Sequence, residues 1–299
     1  MIIKNFSKKE FDGMEKLSTN KTVNTEAELY LLLQKENWRK KYKLFKKFYN
    51  TSGVIFSNKI STINTLIDFK NDINDYINEL TIPESFVSIN SKVQGYIMDY
   101  INGNNLSKLL YNSKISLKEK IEYLKQVGLV LKKMRTLRNI EDVEDFFLGD
   151  LHEDNIIVDE YGKIHIIDMD SCKIGGNLPS PSLYMSRLKR KKCFNNKYKF
   201  NDYCTEIINP NEDTDNYCFA MMLLNTLYQD NIASLSLEEF YNYLDYLDYI
   251  GIDKNLINIF SNLYTNKKNY NCVDFIDSID DKAYRASKKV YQINKEKKF

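Results

Sequence analysis

The chain has 299 residues, 43% of them hydrophobic and 28% charged, with 43 basic against 41 acidic side chains. That composition can fill a sizeable core and excludes a disordered chain. The near-even charge argues against a dedicated nucleic-acid coat.

The first residues, Met1-Ile2-Ile3-Lys4-Asn5, soon turn charged, and the longest apolar run, residues 217–224, is far short of a membrane span. Five cysteines form an odd set without a CxxC pair. They read as reduced thiols in a soluble, cytoplasmic protein with no membrane partner.

In chain order, residues 27–34 predict a strand. Tyr42-Lys43-Leu44-Phe45-Lys46 alternates apolar and basic residues and continues through Lys47-Phe48-Tyr49, predicting a second. Ile60, Ile63, Leu66, Ile67, Ile73 and Ile77 recur at helical spacing, with Ser57 as the expected cap. Residues 86–89 and 93–98 predict a hairpin turning at Asn90-Ser91.

Beyond Gly103 the pattern becomes one of long helices. Ser116 and Glu119 form a capping-box pattern ahead of Leu117, Ile121, Leu124, Val127, Leu131 and Met134 on one face. Two short strands, 156–158 and 164–167, are joined by a turn containing Gly162. Residues 215–228 predict a helix. A second capping box, Ser236 and Glu239, opens another, which carries the tyrosine-rich stretch 241–249. The lysine-rich residues 282–299 read as a frayed terminal helix. The class is therefore α+β: a small β-rich region, 1–99, then a larger helical region, 100–299. The seam near residues 99–103 is where a ligand cleft is expected.

The chemistry concentrates in Gly149-Asp150-Leu151-His152-Glu153-Asp154-Asn155 and in Ile167-Asp168-Met169-Asp170. A tight loop carries Asp150 and Asn155 into one apolar strand, and a short turn brings Asp168 back on the next. A carboxylate beside an amide oxygen suits Mg²⁺, a hard cation that keeps water for phosphate groups. Asp150, beside the metal without binding it, suits a group that orients a hydroxyl and accepts its proton.

These residues resemble the protein-kinase-like superfamily. Asp150 and Asn155 match the catalytic-loop pattern D-x-x-x-x-N, and Asp168 matches the first position of D-F-G. The resemblance implies a bilobal fold using ATP and Mg²⁺, with Asn155 and Asp168 on the metal. It implies a hinge at Asp99, Tyr100 and Ile101, whose backbone would bind adenine. Tyr42-Lys43-Leu44-Phe45 resembles the phosphate-lysine strand, so Lys43 is the expected phosphate lysine and Lys46 the reserve. Ser180-Pro181-Ser182-Leu183-Tyr184-Met185 resembles the end of an activation segment. Asp215 resembles the aspartate that ties down the catalytic loop, a structural role.

The chain departs from the family in several places. No glutamate lies between Glu36 and Glu79, so the helix glutamate that pairs with the lysine is missing; Asp68 is its candidate substitute. Residues 17–25, the expected phosphate loop, contain no glycine, although backbone N–H groups approach phosphate best without a Cβ. Asp170 replaces the glycine of D-F-G. His152, where protein kinases keep lysine, is expected to bind its own loop or a phosphate, and His165 to be a framework residue. Gly149-Asp150-Leu151-His152 is closer to aminoglycoside and choline phosphotransferases and spore-coat kinases.

The expected function is an atypical kinase acting on Ser or Thr of a protein. The alternatives are a small-molecule phosphotransferase and a pseudokinase binding module. Arg187, Lys189, Arg190, Lys191, Lys192, Lys197 and Lys199, with no acidic residue between them, would favour an acidic or phosphorylated protein partner.

Overall fold

The computed structural model describes residues 1–17, 26–36, 39–139, 143, 145–177, 183–184, 206–207, 210–265, 269–279 and 281–296. The first hundred residues build a six-stranded sheet from β1 (Ile3–Phe6), β2 (Glu15–Lys16), β3 (Ala27–Glu36), β4 (Arg39–Phe48), β5 (Ser85–Ile89) and β6 (Lys92–Asp99), with a short helix α1 (Lys8–Asp12) between β1 and β2. The strand order is β1-β5-β6-β4-β3-β2, with only the β1–β5 pair parallel.

Strand alternation in β4 divides its side chains between two buried clusters. Leu44 and Phe48 pack with Phe86, Tyr96, Met98, Ile63 and Ile67. Phe45 points the other way, to Tyr30, Leu32, Val87 and Ile97. Ile63 and Ile67 belong to α2 (Gly53–Asp68), so the face bearing Leu44 and Phe48 is the one covered by the helix. The β5–β6 hairpin turns at Asn90 and Ser91 with φ of 51° and 60°.

The expected single helix over 60–77 is in fact two, α2 and α3 (Lys70–Tyr76), divided at Phe69. The N-cap position is Ser52. Ser57 lies inside α2, its hydroxyl donating to the Gly53 carbonyl at 3.1 Å.

The largest core cluster gathers Ile73, Ile77 and Leu80 with the helices that follow. These are α4 (Leu106–Leu110), α5 (Leu117–Leu137), α6 (Glu212–Tyr228), α7 (Leu237–Tyr249), α8 (Lys254–Thr265) and α9 (Lys288–Glu296). Ser116 caps α5 through the Glu119 N–H at 3.2 Å, but the Glu119 carboxylate takes the Tyr123 hydroxyl instead of returning to the cap. The Ser236–Glu239 box is reciprocal. Helix α6 starts three residues ahead of Asp215, on an Asn211–Thr214 box, and is buried along most of its length. In α9, Tyr291 is buried, with ring centroids 5.3 Å from Tyr243 and 5.2 Å from Tyr246.

A second sheet joins β7 (Gly103–Asn105), β8 (Ile156–Asp159) and β9 (Ile164–Ile166). The segment after α3 docks on it, since the Thr81 N–H donates to Ile166 O and the Ile166 N–H to Glu79 O, both at 2.8 Å. The short strands β10 (Leu183–Tyr184) and β11 (Glu206–Ile207) pair antiparallel. Among the described residues no helix is long and apolar enough to cross a membrane.

Candidate active site

The loop from Leu148 to Asn155 is held from below. Asp215, in the first turn of α6, accepts the backbone N–H groups of Leu148 at 2.8 Å and Gly149 at 2.9 Å. Gly149 has φ of +73°, and a Cβ there would lie 2.8 Å from Pro210 Cγ. Burial raises the Asp215 carboxyl to about 6 against the pull of these two N–H groups.

On this base the Asp150 carboxylate stands exposed to solvent. Asn155 donates its Nδ2 to the Asp150 carbonyl at 3.1 Å and to Asp150 Oδ2 at 3.3 Å, so its amide oxygen faces elsewhere. The Ile167 N–H donates to Asn155 O at 2.9 Å, which brings the next residue, Asp168, beside Asn155. Asp168 itself is left-handed, at φ 65° and ψ 48°.

His152 turns towards its own loop. Its Nδ1 accepts the Asp154 N–H at 3.3 Å, and its Nε2 lies 3.7 Å from Asp150 Oδ2. The imidazole holds the Asp150 carboxyl below the usual carboxylate range. Burial opposes the imidazolium, but Asp150, Asp154 and Glu153 outweigh it and His152 titrates above its ordinary value. His165 is a framework residue on β9, its Nε2 2.9 Å from Asp159 Oδ2.

Strand parity sets the two candidate lysines, Lys43 and Lys46, on opposite faces of β4. Lys43 shares the Phe45 face of β4, where it is buried between Glu84 and Asp99, the latter at 3.0 Å. Lys46, three residues on, lies on the opposite face, under α2. It pairs with Asp168 and with Asp170 Oδ2 at 2.8 Å. Burial works against the Lys46 ammonium, but these carboxylates more than compensate and raise its pKa well above the ordinary lysine value. The even-numbered run Leu44, Lys46, Phe48 was the sequence signal for this face.

Asp68 does not replace the missing helix glutamate. It is exposed and accepts Asn64 Nδ2 of its own helix at 2.8 Å. Asp170 supplies the buried anion instead. From α2, Lys59 points at the same carboxylate, 3.3 Å from Asp170 Oδ1, and also pairs with Glu26. Burial pushes the Asp170 carboxyl up, and the two ammonium groups overcome it and hold it low. Sequence reasoning missed Lys59 and Glu26. The available signal was a lysine on the stripe Lys59, Thr62, Ile63, Leu66, Ile67 that α2 buries.

At the end of β6 the Asp99 carboxylate takes Lys41 at 2.9 Å and Lys43. The Tyr100 N–H donates to Tyr42 O at 3.4 Å, and the two rings meet edge to face at 6.4 Å. Ile101 follows beyond the strand. Most of the expected phosphate loop, residues 18–25, lies outside the described residues. So does the expected activation segment, apart from the β10 backbone, and so does the basic patch at 187–199.

Among the described residues no group of three or more His, Cys, Asp or Glu side chains is arranged to hold a metal ion. Asp168 and Asn155 offer two oxygen donors, a set that fits Mg²⁺ carrying water and substrate phosphate oxygens and not a protein-enclosed cation.

No protein-family profile matches the chain, and no curated protein matches it in sequence.

Proposed function

We propose that the chain is a bilobal, kinase-like phosphotransferase that moves the γ-phosphoryl group of ATP to a hydroxyl. The observation that carries this reading is the Lys46 bridge from the sheet to Asp168, with Asn155 and Asp150 on the neighbouring loop. These are the charges that phosphoryl transfer requires: a fixed cation for phosphates, oxygen donors for a metal, and a carboxylate free to meet an acceptor.

Asn155 and Asp168 would hold Mg²⁺, which offsets the polyphosphate charge when bound. Lys46, oriented by Asp170, takes α- and β-phosphate oxygens. The acceptor oxygen bonds to the γ-phosphorus as the bond to the bridging oxygen breaks and ADP leaves. Asp150 orients the acceptor and receives the hydroxyl proton. Its exposure gives a large acceptor such as a protein Ser or Thr room to approach. The basic run at 187–199 suits an acidic or phosphorylated partner.

The second reading is a small-molecule phosphotransferase, favoured by Gly149-Asp150-Leu151-His152 with His152 beside Asp150. The test is phosphate transfer from labelled ATP to the chain itself, to lysate proteins and to aminoglycosides or choline, comparing native protein with Asp150→Ala. Protein labelling lost in the variant supports the first reading, and small-molecule labelling the second. Intact nucleotide binding without any transfer overturns both in favour of a binding module.

A further inference from the structure

Helix α2 turns a cation, Lys59, towards Asp170, where the resemblance called for a helix glutamate. Lys59 is 4% exposed, while its partner Glu26 is open to solvent, with 61% of its side chain accessible. The inner side of the ammonium rests on Asp170, the carboxylate that also anchors Lys46. One carboxylate thus brackets two lysines, Lys46 on Oδ2 and Lys59 on Oδ1. Lys59 also lies over the Phe48 ring, 5.6 Å from its centroid, and pairs with Glu26 at the sequence end of the glycine-free stretch 17–25.

Asp170 alone does not explain two buried ammonium groups. Removing a lysine from water costs several kcal/mol, and Asp168 and Asp170 together balance Lys46 and Lys59, which leaves Glu26 as a surplus carboxylate at the surface. A second cation in the same place is useful where a ligand carries several negative charges. Glu26 keeps most of its side chain in water, so a polyphosphate carrying more negative charge can compete with it for Lys59.

We propose that Lys59 is a second polyphosphate-binding cation and that Glu26 covers it until nucleotide takes its place. The inference rests on the phosphotransferase reading of the cleft. It assigns to helix α2 the phosphate contact that the glycine-free stretch is poorly suited to make. Lys59 would contact the phosphates directly, and Glu26 would act only through Lys59.

The test is direct titration of the full chain with ATP and with adenosine, for native protein, Lys59→Met, Glu26→Gln and the double variant. Lys59→Met should weaken ATP by about tenfold or more, the size of one charge-assisted contact, and leave adenosine unchanged. Glu26→Gln should tighten ATP several-fold, and this gain should vanish in the Lys59→Met background. If Lys59→Met does not fold, Glu26→Gln decides alone, with ATP tightened and adenosine not. Unchanged ATP affinity in Glu26→Gln, or a gain that persists without Lys59, overturns the inference while native binding upholds the nucleotide cleft. Failure of the native protein to bind ATP at all overturns the cleft reading itself, and this inference with it.

Discussion

Lys46 and Asp170 meet at 2.8 Å in the space between the sheet and α2, and both are almost wholly buried. The pair joins strand β4 to the segment that carries Asp168, so one contact both stabilises the fold and aims the lysine. Removing one partner of a buried pair leaves an uncompensated charge, which costs about 3–5 kcal/mol. Lys46→Met should therefore lower stability in urea unfolding by about that amount and abolish ATP binding. Lys43→Met also breaks buried pairs, with Glu84 and Asp99. It should destabilise the fold but leave ATP affinity within about threefold, well short of one charge-assisted contact. Equal loss of ATP binding in both variants would contradict the assignment by strand face.

Asp150 can be separated from folding because its carboxylate is exposed. Asp150→Ala should change stability by less than about 0.5 kcal/mol and slow phosphate transfer by about 10²- to 10⁴-fold. Nucleotide affinity should stay the same. His152 holds the Asp150 carboxyl below 3.8, so the basic form persists down to low pH. In His152→Gln the acid limb of the pH–rate profile should move up towards the ordinary carboxylate value. A profile that does not move would remove His152 from any role in tuning Asp150.

Asp215 gives a pH signature in the opposite direction. Its pKa rises from 3.8 to about 6 in the folded protein. Between those values the folded state binds more protons than the unfolded chain, so this group's contribution to stability falls as pH rises. The change is on the order of 3 kcal/mol across that window and is complete above pH 6. Relative to the native protein, Asp215→Asn should flatten the dependence of unfolding free energy on pH between about 4 and 6. Identical slopes in the two proteins would count against a strongly raised carboxyl.

Gly95 tests how closely β4 and β6 must approach. A Cβ at this position would lie 1.9 Å from the Lys46 carbonyl oxygen, a backbone atom that cannot turn aside. Gly95→Ala should cost about 3 kcal/mol or more, at the upper end of overpacking, and weaken ATP binding by displacing Lys46. Thermal unfolding together with ATP titration checks both effects.

Much of this was legible in the chain. Alternation marked the strands, 3.6-residue periodicity marked the helices, and the second capping box formed as written. The spacing of Asp150, Asn155 and Asp168 brought them to one loop and one strand end, because hairpin-linked strands leave few other arrangements. Asp215 is assigned to the loop only through the family resemblance, and it bonds there to Leu148 and Gly149.

Other features were settled only by packing. Strand parity says that Lys43 and Lys46 lie on opposite faces, but which face is covered depends on where α2 docks. The role of Asp170 required knowing that two lysines from distant segments converge on it. Lys59 sits on an apolar helical stripe, where a charge has no meaning until its facing partner is known. The sequence by itself determined the order of elements and the polar residues of one loop. The tertiary structure decided which charges face one another, because pairing of charges is a matter of distance and burial across elements that are far apart in the chain.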